Sequence, residues 1–227
     1  EAPEEVEQIE CSGSVVISNN TDLYKYIRVF GKCNVLHGSI YMHYPHLKLD
    51  QVSLDFMRNL EVIKGDLHIF RANNLKNLDG LESLTSIEGD LIIKENDALE
   101  NLDGLVGLTS IGGNLIIKEN KLIESISSFN LLTSIGGDID IYRNRSLTAI
   151  TGFSELKTIG NSMNIQSNVL LTSIVGFNNL QSVGKNLVTD FNNINYSFNL
   201  FRDLTTIGGS LTLSGNQSKH VFNSFNS

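Results

Sequence analysis

Four histidines, His37, His43, His46 and His68, fall in the first third of the chain. Imidazole is the side chain best suited to metal ligation and to proton transfer near neutral pH. His43 and His46 have a loose metal-like spacing, but no acidic or cysteine residue completes a recognisable ligand set. The sequence therefore predicts no metal site and no cofactor. It carries no nucleophile motif and no phosphate-cradling loop, so enzyme chemistry is not expected. Cys11 and Cys33 lack the Cys-x-x-Cys or Cys/His company of a redox or metal pair, and a disulfide is the expected use. That in turn points to an oxidising, extracytoplasmic compartment. Asn-x-Ser/Thr acceptors at Asn19, Asn144, Asn195 and Asn216 are candidate glycosylation sites, with Asn19 the best placed.

These residues are held in an array, because the chain repeats itself every 24 residues. Leu84-Thr-Ser-Ile-Glu-Gly-Asp-Leu-Ile-Ile-Lys-Glu-Asn96 returns as Leu108-Thr-Ser-Ile-Gly-Gly-Asn-Leu-Ile-Ile-Lys-Glu-Asn120. Apolar residues recur at Ile63, Ile87, Ile111, Ile135, Ile159, Val183 and Ile207, and again at Leu67, Leu91, Leu115, Ile139, Met163, Leu187 and Leu211. Asparagine recurs at Asn96, Asn120, Asn144, Asn168, Asn192 and Asn216. A fixed period of this size marks a solenoid, whose units cannot bury their apolar faces alone.

Within a unit, Leu91-Ile92-Ile93-Lys94 alternates as a strand does, with Leu91 and Ile93 on one face. The Gly-Asp or Gly-Asn before it is read as a turn in which glycine supplies a positive φ. Leu99 to Ile111 has an apolar residue at every third position and is broken by Gly104 and Gly107, which suits short extended pieces and corners better than a helix. Stacking such coils about 4.8 Å apart pairs each strand in parallel with its successor. Three columns then form a core. They are Leu102, Ile126, Ile150, Ile174 and Phe198; Leu105, Phe129, Phe153, Phe177 and Phe201; and Leu84, Leu108, Leu132, Leu156, Leu180 and Leu204. The asparagines are expected to form a corner ladder whose amides satisfy backbone groups of adjacent coils.

Residues 1–10 read as an acidic, solvated tail and residues 11–227 as one β-helical domain. Thr21 and Asp22 are the candidate N-caps of a helix through Leu23, Tyr26, Ile27 and Phe30, with Gly31 as its stop. That helix is expected to cap the first coil, which has no neighbour to cover it. The net charge of −8 with no basic cluster argues against nucleic acid, and no apolar run is long enough to span a membrane. Toward the C-terminus the repeat blurs, with Phe191, Tyr196, Phe198 and Phe201 crowding one coil and Val221, Phe222 and Phe225 left to cover the last one.

The opening framework, Cys11-Ser-Gly, a strand ending Ile17-Ser18-Asn19-Asn20, a helix, then Cys33-Asn-Val-Leu-His-Gly-Ser-Ile-Tyr-Met42, resembles the start of a receptor L domain. That family includes the ligand-binding L domains of insulin and epidermal-growth-factor receptor types and sporulation-specific fungal cell-wall proteins. The Leu-Thr-Ser-Ile-x-Gly-Asp-Leu-x-Ile units are similar to its repeats. The resemblance implies a right-handed parallel β-helix with an N-terminal capping helix, an extracellular or cell-surface location, and binding in place of catalysis. Two departures stand out: no cysteine-rich module follows, and Val16 and Ser18 occupy places where insulin-type receptors carry charge. Insulin-like hormones are therefore not the expected ligands.

The resemblance also implies that ligands meet the outward face of the strands. One outward column reads Tyr41, His68, Ile92, Ile116, Asp140, Asn164, Val188, Thr212, and its neighbour reads His43, Phe70, Lys94, Lys118, Tyr142, Gln166, Asp190, Ser214. The expected partner surface is Tyr41, His43, His68, Phe70, Ile92, Lys94, Ile116 and Lys118, taking a protein or a glycan. The alternatives are a structural cell-wall or surface-layer component and, more remotely, an ice-binding protein using hydroxyls at Thr85-Ser86, Thr109-Ser110, Thr133-Ser134 and Thr205-Thr206.

Overall fold

The computed structural model describes residues 8–44, 53–194 and 200–214, and every residue named below belongs to these unless stated otherwise. Its strands assemble into two parallel nine-stranded sheets and a third of three strands, the arrangement of a β-solenoid. The first sheet runs from Glu10–Ser12 to Thr206–Ile207 and the second from Val15–Ile17 to Leu211–Thr212. The third joins Ser125–Ile126, Ala149–Ile150 and Ser173–Ile174. Leu91 pairs with Leu115 and Ile92 with Ile116, so the 24-residue offset of the sequence is the register of the sheet. The first coils are longer, since Val15 pairs with Ile40 and Ile40 with Leu67. Among the described residues no helix is long and apolar enough to cross a membrane.

Alternation along each strand sorts the side chains. Leu91 and Ile93 are wholly buried, whereas Ile92 and Lys94 are half-buried on the outer face. The three expected core columns are buried through their described members, with Phe201 only partly so; Phe198 lies outside the described residues. Phe129, Phe153 and Phe177 stack ring on ring, their centroids 5.2 and 4.8 Å apart.

Two ladders lock the coils together. Asn120 Nδ2 donates to the Ile93 carbonyl and to Asn144 Oδ1, and the same pattern links Asn96, Asn144 and Asn168 to their neighbours. A second ladder was not foreseen. At the turn before each strand of the second sheet, one oxygen accepts the backbone N–H of the next coil, through Ser39, Asp66, Asp90, Asn114, Asp138, Ser162 and Asn186.

The glycines of that turn serve a different purpose from the one expected. Positive φ among glycines is confined to Gly13 and Gly80 in the described residues. Gly112, Gly136, Gly160, Gly184 and Gly208 stack instead, and a Cβ on any of the last four would run into the carbonyl oxygen of the glycine one coil earlier. Left-handed backbone recurs on the corner after the strand, at Arg71, Glu95, Glu119, Arg143, Ser167 and Phe191, with φ between 49° and 57°, and occurs once elsewhere at Phe153, with φ 73°.

The cap is a helix over Asn20–Phe30, packed against the Val15–Ile17 strand and the turn at Asp55–Met57. Its N-cap is Asn19, whose side chain accepts from the Asp22 N–H, and not Thr21 or Asp22. Asp22 caps outward instead: its carboxylate accepts from the Ser18 N–H and Oγ, which holds it below the usual carboxylate range. Gly31 ends the helix in right-handed geometry. Tyr26 packs on the core, Ile27 is exposed, and the side chains of Leu23 and Phe30 lie outside the described residues. Cys11 and Cys33 are disulfide-bonded, with Cα atoms 5.9 Å apart, and tie the first strand to the chain leaving the helix.

Candidate functional site

Register alone brings the outward columns together. Tyr41 sits beside His68, His68 beside Ile92, and Ile92 beside Ile116, while Phe70 sits beside Lys94 and Lys94 beside Lys118. Each rung is separated from the next by about 4.8 Å, close enough for rings on successive rungs to touch. The Tyr41 and His68 rings meet edge to face at 4.9 Å, and His43 stacks on Phe70 at 5.0 Å with planes 20° apart. Arg71 and Lys94 lie over the Phe70 ring, at 4.7 and 5.7 Å from its centroid.

The surface is less open than the sequence suggests. His43 is exposed, but Tyr41, His68, Phe70, Ile92, Lys94, Ile116 and Lys118 are half-buried. The cause is lateral, since each side chain leans on its column neighbours and shields them. The two lysines are also engaged within the sheet. Lys94 pairs with Glu95 at 2.9 Å, and Lys118 pairs with Asp140 while lying over the Tyr142 ring.

A charged corner borders this face. Arg71, Asn73, Glu95, Asp97, Glu119, Lys121, Arg143 and Arg145 line a groove of about 360 Å³. Arg71 donates to Glu95 and Lys121 to Asp97, both at 2.6 Å. Hydrogen bonds from Lys94 and then Arg71 hold the Glu95 carboxyl below its ordinary range. The left-handed residues at this corner project these side chains outward, a placement that strand alternation alone does not predict.

Beside the aromatic pairs, Asp66, His68 and Asp90 converge, one donor atom from each lying within 4.8 Å of the others. The sequence expectation pairs only His43 with His46 and offers no partner for His68; Asp66 lies two residues before His68, but Asp90 joins them only through the register, one full coil away. His37 instead meets Glu10 at 3.2 Å, and His46 lies outside the described residues.

Of the glycan acceptors, Asn19 is exposed; its Oδ1 caps the helix, and its Nδ2, where a glycan would attach, donates to Ser18 Oγ at 3.2 Å on the surface. The Asn144 reading is corrected. Asn144 is wholly buried, with Nδ2 donating to the Ile117 carbonyl and Asn168 Oδ1, so the folded chain has no room for a sugar there. Asn195 and Asn216 lie outside the described residues. The threonine hydroxyls proposed for ice also have partners, since Thr85, Thr109, Thr133 and Thr205 each donate to a carbonyl of the preceding coil.

Comparison with curated proteins and with solved structures returned no match. A family model does match. It covers the stretch that leaves the capping helix and holds Tyr41, His43, His68, Phe70, Ile92 and Lys94. Over residues 32–104 the chain matches the receptor L domain family.

Proposed function

We propose that this chain is an extracellular, cell-surface binding module that takes a protein or glycan partner on the outward face of its second sheet. The receptor L domain match supports a ligand-binding module, and the disulfide fits an oxidising compartment. The observation that carries the choice of face is the packed ring quartet of Tyr41 on His68 and His43 on Phe70. Rings already ordered by their neighbours lose little conformational entropy when a partner covers them, which suits them to anchor binding. Ile92 and Ile116 extend the apolar area, and Lys94 and Lys118 border it as cations paired with Glu95 and Asp140. Alternation of apolar rings with charge fits a folded partner surface, and flat ring faces fit the apolar faces of sugars.

The test is a screen of the intact chain against displayed extracellular proteins and a glycan array, in parallel with Phe70→Ala. A hit lost in Phe70→Ala supports this face. A hit retained in full by Phe70→Ala moves binding elsewhere, and no hit in either screen favours a structural role in a wall or surface layer.

A further inference from the structure

We propose that Asp66, His68 and Asp90 bind one divalent transition-metal ion of the zinc class. Asp66 and His68 are two apart on one rung, and the parallel register sets Asp90 on the next rung over Asp66. The polar ladder fixes one oxygen of each carboxylate. Asp66 Oδ1 accepts the Asp90 N–H at 2.9 Å, and Asp90 Oδ1 accepts both the Asn114 N–H and Nδ2, at 2.7 and 3.0 Å. Those ladder bonds leave Asp90 Oδ2 uninvolved, whereas Asp66 Oδ2 accepts a hydrogen bond from the Tyr41 hydroxyl at 3.3 Å and keeps a second lone pair for a cation. Such outer hydrogen bonds are what set the direction of metal ligands.

Two independent features point to a cation. His68 Nε2 is shut off from solvent with no hydrogen-bond partner, 4.0 Å from Asp66 Oδ2. A buried nitrogen in that state calls for an explanation, and a metal supplies one. The second feature is charge. Asp66 and Asp90 are successive rungs, whereas the remaining acidic rung, Asp138, stands between neutral Asn114 and Ser162. Among the described residues neither Asp66 nor Asp90 has a lysine or arginine ion-pair partner. Two adjacent like charges repel, and a divalent ion between them turns the repulsion into attraction.

The donor set selects the class of ion. One imidazole and two carboxylates suit zinc and its first-row neighbours, with water completing the shell. Calcium prefers six to eight oxygens, and soft ions prefer thiolates, which the disulfide removes. Binding would draw the donor atoms, now within 4.8 Å of one another, onto bonds of about 2.0–2.2 Å.

The test is calorimetric titration of Zn²⁺ into the chelator-treated intact chain, with Ca²⁺ as the contrasting ion. The expected result is one equivalent of Zn²⁺ bound, weakened about tenfold or more by His68→Ala and by Asp90→Asn, and unchanged by His37→Ala or His43→Ala. Asp90→Asn keeps the Oδ1 acceptor of the ladder, so a folded variant is at hand, checked by circular dichroism. Absence of one-equivalent uptake overturns the proposal, as does uptake that survives the double variant His68→Ala/Asp90→Asn. No partner enters this titration, so its outcome is independent of the partner-binding face.

Discussion

Asn120 directs both its backbone N–H and its side-chain Nδ2 to one acceptor, Asn144 Oδ1, at 3.2 and 3.1 Å. Repeated up the solenoid, this doubled bond turns a corner of irregular backbone into a buried, satisfied column. Asn120→Ala leaves the Asn96 N–H and the Ile93 carbonyl short of partners in a dry interior. The expected cost is about 2–3 kcal/mol, read as a lowered midpoint in thermal or urea unfolding. An unchanged midpoint would mean that water replaces the ladder at no cost.

The glycine stack makes a sharper prediction. Gly136→Ala puts a methyl group into the Gly112 carbonyl, while the strand just before Gly136 is paired to neighbours on both sides. Backbone on both sides cannot retreat without opening the sheet, so this variant is expected to lose more stability than Gly152→Ala, whose Cβ meets no atom nearer than 3.1 Å. Equal melting temperatures for the two variants would contradict the close-packed turn.

Reduction of the Cys11–Cys33 disulfide releases a loop of 22 residues' separation. In the chain-entropy model this costs about 3 kcal/mol. The loss should fall on the cap first, so amide exchange is expected to rise across Asn20–Phe30 before the central coils. Uniform exchange would show that cap and coils unfold together.

Glu95 gives a pH signature. Its carboxyl is depressed in the folded state by Lys94 and Arg71, so its contribution is present above the ordinary carboxylate range and is lost as pH falls through the folded value. Glu95→Gln should lower stability at neutral pH by at most about 1 kcal/mol, as a partly exposed ion pair allows. In acid, where the wild-type carboxyl is itself neutral, the two melting curves should converge. A difference that persists in acid would assign the effect to packing.

Much of this architecture is legible in the sequence because a solenoid writes its register directly into its period. Ile92 and Ile116 could be set side by side with no structure, and Asn120 could be assigned to a corner. What escaped was decided by contact between coils. Gly136 looks like any turn glycine until the carbonyl one coil earlier is in view. Asp66 and Asp90 look like turn residues until His68 is placed beside them. The cap at Asn19 was missed because Thr21 and Asp22 are equally good formers, and only the hydrogen bond distinguishes them. Exposure of the outer columns was overestimated because alternation reports which face a side chain occupies, not how far its neighbours cover it.

The proposed partner contact lies over His43, Phe70 and the adjoining isoleucines. The most direct measurement is the affinity of a partner from the extracellular screens for three folded proteins, namely wild type, Phe70→Ala/Ile92→Asp, and Val188→Asp on the far half of the same sheet. The double variant is expected to lose about thirtyfold or more, the scale of a central hot spot, and Val188→Asp to keep near wild-type affinity. Wild-type affinity in the double variant would contradict the proposed contact.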